Sequence, residues 1–187
     1  MPPYHYLQFL FLVSEVSLLL FRRSKSNGEK VSKDRRSLLI LWLVIVLSST
    51  IGNFIAEEYS IMHIGNYEAV MYTGMAICLI GFAIRWTAVI QLGKMFTVDV
   101  AIADKHNLKQ SGLYKIVRHP SYLGLILIIV GLAICINNIA TLLIIVIPSF
   151  WAINHRIIVE EQALIAEFGG QYINYKKRVS KIIPGIF

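Results

Sequence analysis

The sequence predicts an all-α polytopic membrane protein with five transmembrane helices, a C-terminal helical hairpin and a cytoplasmic helical tail. Three observations carry the prediction: a high apolar content, its gathering into long blocks, and the confinement of Lys and Arg to alternate loops. Apolar residues make up 56% of the 187 residues and the mean hydropathy is +0.63. A water-soluble domain of this size cannot hide that much apolar side chain behind its own surface. Spanning a hydrocarbon core of ~30 Å takes about 20 mostly apolar helical residues, and such blocks recur at Tyr4–Phe21, Ser37–Ala56, Ala69–Leu92, Ser121–Ile136 and Ile139–Ile153. They leave room for one membrane domain, 1–187, made of an N-terminal part (1–92, three spans and their loops) and a C-terminal part (93–187).

The first block, Tyr4–Phe21, does not read as a cleavable signal peptide. No Lys or Arg precedes it, no small-x-small cleavage site follows, and Arg22 and Arg23 stand on its C-terminal side. That polarity predicts an outside N-terminus and an inside first loop. The other cations agree. Of 18 Lys and Arg, seven fall in Arg22–Arg36, five between the third and fourth spans and five after the last, while Arg85 lies inside a span. Glu57–Glu68 holds three acids and no Lys or Arg, and Asn137-Asn138 is uncharged. All loop cations therefore fall on one side, with the C-terminus cytoplasmic. The net charge of +7 follows from this bias and from attraction to anionic lipid, and calls for no nucleic-acid partner.

Arg22–Arg36 is polar and basic and reads as an exposed loop. The two-residue break Asn137-Asn138 forces the fourth and fifth spans into a tight hairpin. Gly124 and Gly131 share one face of the fourth span, where they allow close approach of a partner helix. Beyond the fifth span, Glu160, Glu161 and Glu167 are too polar for lipid, so His155–Phe168 is predicted to continue the helix into the cytoplasm. Gly169-Gly170 supplies the stop, and Gln171–Arg178 a short helix with Tyr172 and Tyr175 on one side. Cys78 and Cys135 lie within apolar spans without a metal or redox spacing and read as small buried hydrophobes. Two intramembrane charges need partners. Glu15 and Arg85 sit at matching depth and can pair; alternatively, Arg85 snorkels to the inner surface.

Chemistry concentrates in His106–Tyr122 and Arg156–Glu161. Pro120 opens the fourth span, where its missing N–H costs nothing. The amides of Ser121, Tyr122 and Leu123 then point out of a helix N-terminus suited to an anion, beside Arg118 and His119. Arg156 and Glu160, four apart, share a helix face. A pocket between the two helix ends offers anion- and cation-binding groups together, which suits a zwitterionic amino-acid moiety. Each feature also has a plainer reading. Arg-His-Pro serves as an interfacial anchor, and Arg156 with Glu160 as a surface pair worth a few tenths of a kcal/mol. The histidines form no metal-ligand spacing, so no metal site is expected. Gly169-Gly170 is not a phosphate loop, because no strand precedes it.

The combined pattern resembles the isoprenylcysteine carboxyl methyltransferase family, integral-membrane enzymes that use S-adenosylmethionine. The resemblance covers roughly Leu92–Phe187. It rests on His106-x-Leu108, Gly112-x-Tyr114, Arg118-His119-Pro120-Ser121-Tyr122-x-Gly124, Arg156, Glu160-Glu161, Phe168-Gly169, Tyr172, Tyr175 and Pro184. It implies a cofactor pocket lined by His106, Asn107, Leu108, Lys109, Tyr114, His119, Pro120, Ser121, Tyr122 and Glu160. Arg156 would meet the acceptor and Glu161 would support the site. Members with a longer polar stretch before the histidine make one further contact there, and in this chain Ile102 is the corresponding position.

A carboxylate acceptor, ionised at neutral pH with a pKa of ~4, would need no general base. Catalysis would consist of in-line alignment in a water-shielded site at the cytoplasmic face. The lipophilic acceptor, an isoprenylcysteine or a lipid-like small molecule, would enter from the bilayer. Two competing readings are an NADPH-dependent sterol or steroid reductase, which looks similar over the C-terminal hairpin, and a non-catalytic membrane partner. Glu160-Glu161 suits a cofactor bearing an ammonium better than one bearing a 2′-phosphate.

Overall fold

A computed structural model describes residues 2–21, 29–58, 62–93 and 108–185, with the side chains of 21 and 29–35 excepted. Its elements are α1 (Tyr4–Phe21), α2 (Glu29–Glu58), α3 (Tyr67–Leu92), a 3-10 turn (Gly112–Lys115), α4 (Pro120–Cys135), α5 (Ile139–Phe168) and α6 (Gly170–Arg178). Among the described residues the only extended pairings are isolated bridges, His63 with Asn138 and Val117 with Ser180. An all-helical chain is what a hydrocarbon solvent selects, because a helix satisfies its own backbone polar groups.

Three helical stretches are long and apolar enough to cross a membrane: Arg36–Glu58, Tyr67–Leu92 and Ile139–Phe168. Tyr4–Leu20 and Pro120–Cys135 are apolar but shorter. α5 has 30 residues, about 45 Å at the helical rise. Its polar end, with Glu160 and Glu161, therefore extends beyond the length a ~30 Å core requires as one unbroken helix, in line with the helical continuation predicted over His155–Phe168. Exposed apolar side chains such as Phe9, Leu39, Leu43, Phe54, Ile90 and Ile147 cover the outer faces. Water penalises such a surface and lipid accepts it. The chain is an integral membrane protein. α2 begins at Glu29, inside the stretch Arg22–Arg36 expected to be a loop.

α4 is central. One side joins a core with α2 and α5 (Leu41, Ile45, Leu125, Ile129, Ile145, Ile153), and the other joins Leu7, Cys78, Phe82 and Ile128 from α1, α3 and α4. The partner for Gly124 and Gly131 is α3. A Cβ at Gly124 would lie 2.6 Å from the Arg85 nitrogen, and one at Gly131 2.6 Å from that of Cys78. Gly74 and Gly81 supply the matching gaps on α3, so the two backbones touch directly. Cys78 and Cys135 are buried and free.

The α4–α5 connection docks onto the loop before α3, at the end of the bundle opposite Arg85 and Arg156. Asn137 takes a positive φ of 56°. Its Oδ1 accepts from the amides of Ile64 (3.1 Å) and Gly65 (3.2 Å), and its Nδ2 donates to the Gly65 carbonyl at 3.0 Å. Asn138 caps α5 by accepting from the Thr141 amide at 3.0 Å.

The Glu15–Arg85 alternative resolves in favour of the pair. Arg85 Nε and Nη2 each donate to one Glu15 oxygen at 2.5 Å, and the side chains are 8% and 4% exposed. A charge this deep is neutralised where it stands rather than carried to the surface.

Candidate active site

The segment leading into α4 is held from both sides. Gly112 has φ of 65°, a conformation that favours glycine, and a Cβ there would push aside the Gln91 amide, whose Oε1 would lie at 2.4 Å. Gln91 Oε1 accepts from the Leu113 amide at 2.9 Å. The Tyr114 hydroxyl donates to the Ala88 carbonyl at 3.3 Å, and the Tyr175 hydroxyl to the Tyr114 carbonyl at 2.5 Å. Immediately before α4, the amide of Arg118 donates to the Ser180 carbonyl (2.8 Å) and that of His119 to the Lys181 carbonyl (3.1 Å). The tail beyond α6 thus covers the start of α4, and Pro120 is fully buried.

This corrects the expectation of an open anion site at that helix end. The amides of Tyr122 and Leu123 both donate to the His119 carbonyl at 3.1 Å, because the first turn closes on its own cap residue. Arg118 does not face a ligand either. Its Nε donates to Glu161 Oε1 at 3.0 Å and its Nη1 to the Lys176 carbonyl at 3.0 Å and to the Val179 carbonyl. The guanidinium ties α5 to the carbonyl end of α6, where a cation is favoured.

α5 presents the other half. Arg156 is 1% exposed, which rules out the surface-pair reading; Nη1 donates to the Ser37 hydroxyl at 2.5 Å. The Tyr122 hydroxyl is within hydrogen-bonding reach of both the Glu160 carboxylate and the Arg156 guanidinium. His119 is buried between the two carboxylates, with Nδ1 4.0 Å from Glu160 Oε1 and Nε2 3.3 Å from Glu161 Oε1, and its ring lies 5.9 Å from that of Tyr122.

The adjacent acids differ in company. Glu161 is 5% exposed and meets Arg118, His119 and Lys176, whose Nζ donates to Oε2 at 2.6 Å. Burial by itself would raise its pKa, but hydrogen bonds from His119 and Lys176, with the Arg118 charge, hold it well below the usual carboxylate range. The side chain of Glu160 keeps 28% exposure, and His119 is its one ion-pair neighbour among the described residues. Glu161 is therefore built into the frame, and Glu160 is the more exposed and less engaged of the two carboxylates.

Of the residues expected to line a site, Tyr114, His119, Pro120, Ser121, Tyr122, Arg156, Glu160 and Glu161 converge around the α4 start and the polar end of α5. Leu108 and Lys109 are half-buried at the entry to the 3-10 turn. Ile102, His106 and Asn107 lie outside the described residues. Ser121 is 9% exposed and accepts from Arg85, so it faces the bundle. Sequence reasoning missed Ser37 and Lys176, and named Tyr172 without placing it at the site. The Tyr172 hydroxyl is buried with no hydrogen-bond partner among the described residues, and its spacing with Tyr175 on one side of α6 was the available signal for it. Ser37 and Lys176 carried none, since each depends on which helix lies opposite.

The family model for isoprenylcysteine carboxyl methyltransferases matches residues 74–166, the stretch that holds Tyr114, His119, Tyr122, Arg156, Glu160 and Glu161. The chain belongs to the isoprenylcysteine carboxyl methyltransferase family. It is 28% identical over 145 residues to a probable protein-S-isoprenylcysteine O-methyltransferase from Oryza sativa, covering 76% of each chain. It is 35% identical to protein-S-isoprenylcysteine O-methyltransferase B of Arabidopsis thaliana, over 59% of this chain and 57% of that one. A solved structure of a eukaryotic intramembrane Ras methyltransferase, an isoprenylcysteine carboxyl methyltransferase, superposes with a TM-score of 0.63 at 28% identity. That match covers 78% of this chain and 52% of the other, so the chain spans about half the length of that relative. The reductase reading draws no support from these relatives.

Within this methyltransferase family the matched region takes in α3 from Gly74, all of α4 and most of α5. α1, α2 and α6 fall outside it, although they contribute Glu15, Ser37 and Lys176 to the contacts above.

Proposed function

We propose that the protein transfers a methyl group from S-adenosylmethionine to the carboxylate of a lipophilic acceptor, a C-terminal isoprenylcysteine or a similar lipid-like molecule. The observation that carries this reading is a buried cation, Arg156, and a part-exposed carboxylate, Glu160, both within reach of the Tyr122 hydroxyl. Opposite charges so placed suit a cofactor that ends in an amino acid and an acceptor that ends in a carboxylate.

The donor set fits the cofactor. Glu160, whose one ion-pair neighbour among the described residues is His119, would meet an ammonium, while Glu161 is already engaged by Arg118, Lys176 and the His119 ring. Glu160, His119, Tyr122, Tyr114, Leu108 and Lys109 would hold the cofactor, joined by Ile102, His106 and Asn107, with Pro120 and Ser121 shaping the wall behind them. When bound, the cofactor supplies a methyl group already activated by its sulfonium. The chain then has to bind, orient and exclude water. Arg156 would hold one oxygen of the acceptor carboxylate and leave the other free to react. No base is needed, because the carboxylate is already ionised. Glu161 would fix His119 between the two acids. Burial of Arg156 and His119 strengthens their electrostatics in a site where water is scarce.

In the membrane, the reading takes α1 and α4 as spans alongside the three longer helices, making five. Arg22–Arg36 and the site lie on the cytoplasmic side, and Glu57–Glu68 lies outside. The meeting of residues 62–65 with Asn137 at one end of the bundle supports it, since both loops are free of Lys and Arg. The acceptor tail would enter between helices from the lipid.

Thermal unfolding of the detergent-solubilised protein tests the reading. S-adenosylhomocysteine should raise the melting temperature, because a ligand bound only by the folded state stabilises it, and NADPH should not. Glu160→Ala and His119→Ala, on different helices, should each diminish the rise. A response to NADPH alone would replace the methyltransferase reading with the reductase.

A further inference from the structure

Arg85 does more than neutralise Glu15. While Nε and Nη2 hold the two Glu15 oxygens, Nη1 donates to both the carbonyl and the hydroxyl of Ser121, each at 3.1 Å. All the donor nitrogens of one buried guanidinium thus link α1 to the first turn of α4, across α3. Ser121 stands between His119 and Tyr122 in effect: two residues after one and directly before the other.

The link is not needed to bring α3 and α4 together. Their backbones already touch where a Cβ at Gly124 would lie 2.6 Å from the Arg85 nitrogen. Nor is an ion pair in this place an efficient stabiliser, since desolvating two charges offsets most of their attraction and apolar substitutes of like volume often do as well. What an apolar substitute cannot do is donate to a particular carbonyl. α1 otherwise meets its neighbours mainly through Leu7 and Phe11 in a small apolar cluster and through Trp86 Nε1, which donates to the Ser14 hydroxyl at 3.0 Å.

We propose that Glu15 and Arg85 are positioning residues. Glu15 aims the Arg85 guanidinium, Arg85 fixes the first turn of α4 through Ser121, and that turn sets His119 and Tyr122 against Glu160 and Arg156. α1, which lies outside the family-matched stretch, is on this account part of the working site. The consequence for catalysis rests on the methyltransferase reading above; the consequence for the α4 turn does not.

The test compares Arg85→Met, Arg85→Lys and the exchange of both charges (Glu15→Arg with Arg85→Glu) in the full-length protein, in nanodiscs. Melting temperature, hydrogen exchange of the 117–125 segment, and kcat and KM are measured for each. The exchanged pair restores opposite charges at the two positions, but a carboxylate at 85 cannot donate to the Ser121 carbonyl. It should recover much of the melting temperature lost in Arg85→Met, while 117–125 continues to exchange faster than in the wild type. Its kcat should stay roughly tenfold to a hundredfold low, the scale of a small misplacement at a reacting centre, with a smaller change in KM. If Arg85→Met does not fold, Arg85→Lys carries the same readouts, keeping the charge and losing the fork. Recovery of stability, exchange and kcat together in the exchanged pair would overturn the proposal, leaving an ordinary structural pair. So would unchanged exchange and turnover in Arg85→Met or Arg85→Lys. If the wild type transfers no methyl group, the activity reading fails and the exchange data still decide whether the pair positions α4.

Discussion

Arg156 on α5 donates from Nη1 to the Ser37 hydroxyl on α2 at 2.5 Å, with the guanidinium 1% exposed. α2 therefore holds the cation that the proposed reaction needs. Arg156→Ala should leave cofactor binding nearly intact and lower kcat/KM by about 2–4 kcal/mol of transition-state stabilisation, the range for a lost electrostatic clamp. Arg156→Lys should also be impaired, because a point charge does not reproduce a planar fork. Ser37→Ala should cost less, about 1 kcal/mol, the scale of one hydrogen bond. Steady-state kinetics with both substrates varied, alongside S-adenosylhomocysteine binding, checks the series.

Glu161 pairs with Arg118 and Lys176 and hydrogen-bonds the His119 ring. Glu161→Gln leaves the buried Arg118 guanidinium without its counter-charge and should destabilise by roughly 3–5 kcal/mol. Because the folded-state pKa is held below the unfolded value, the ionised carboxylate contributes its stability in full above the usual carboxylate range. That contribution is lost as pH falls through the folded pKa. The gap in melting temperature between wild type and Glu161→Gln should be widest near neutrality and narrow on acidification below about pH 4.

Gly124 and Gly170 should respond oppositely to a larger side chain. A Cβ at Gly124 would sit 2.6 to 2.7 Å from Arg85 and from the Gly81 carbonyl, while one at Gly170 meets nothing within 4 Å. Gly124→Val should cost at least 1–3 kcal/mol. Gly170→Ala should be neutral or stabilising by a few tenths of a kcal/mol, through a less flexible unfolded chain. Melting temperatures in one detergent decide this.

Orientation is open to labelling from outside. Cysteines placed at exposed Asn66 and Ile139 should react with an impermeant maleimide in intact cells, and one at Ser26 should not. The native Cys78 and Cys135 are buried and should add little background. Labelling at Ser26 would invert the assignment and move the site to the other face.

Much of the fold was legible because lipid leaves a chain few choices. Tyr4–Phe21 coincides with α1, and the Glu-rich continuation of the fifth block is one helix with α5. The short α6 starts one residue earlier than Gln171 and buries Tyr172 and Tyr175 as its spacing implied. Hydropathy and turn residues report such features locally. Partnership between distant segments is not local. Matching depth made Glu15 and Arg85 candidates for each other, but depth alone did not exclude snorkelling. Gly124 and Gly131 announced a close approach without naming α3. Likewise, the helix-end rule at Pro120 was sound for an isolated helix. It failed to foresee that the tail after α6 would fold over that end and that Arg118 would be drawn to Glu161.

The central claim is methyl transfer to a lipophilic carboxylate. The most direct measurement follows label from S-adenosyl-[methyl-³H]methionine into a synthetic S-farnesylated cysteine in the presence of the reconstituted protein. An organic-soluble product is expected whose label is released as volatile methanol by mild base, the mark of a carboxyl methyl ester, and Arg156→Ala should abolish it. Label that resists base would place the methyl group on an atom other than a carboxylate oxygen. No incorporation by folded protein, with either this acceptor or other lipophilic acids, would contradict the account.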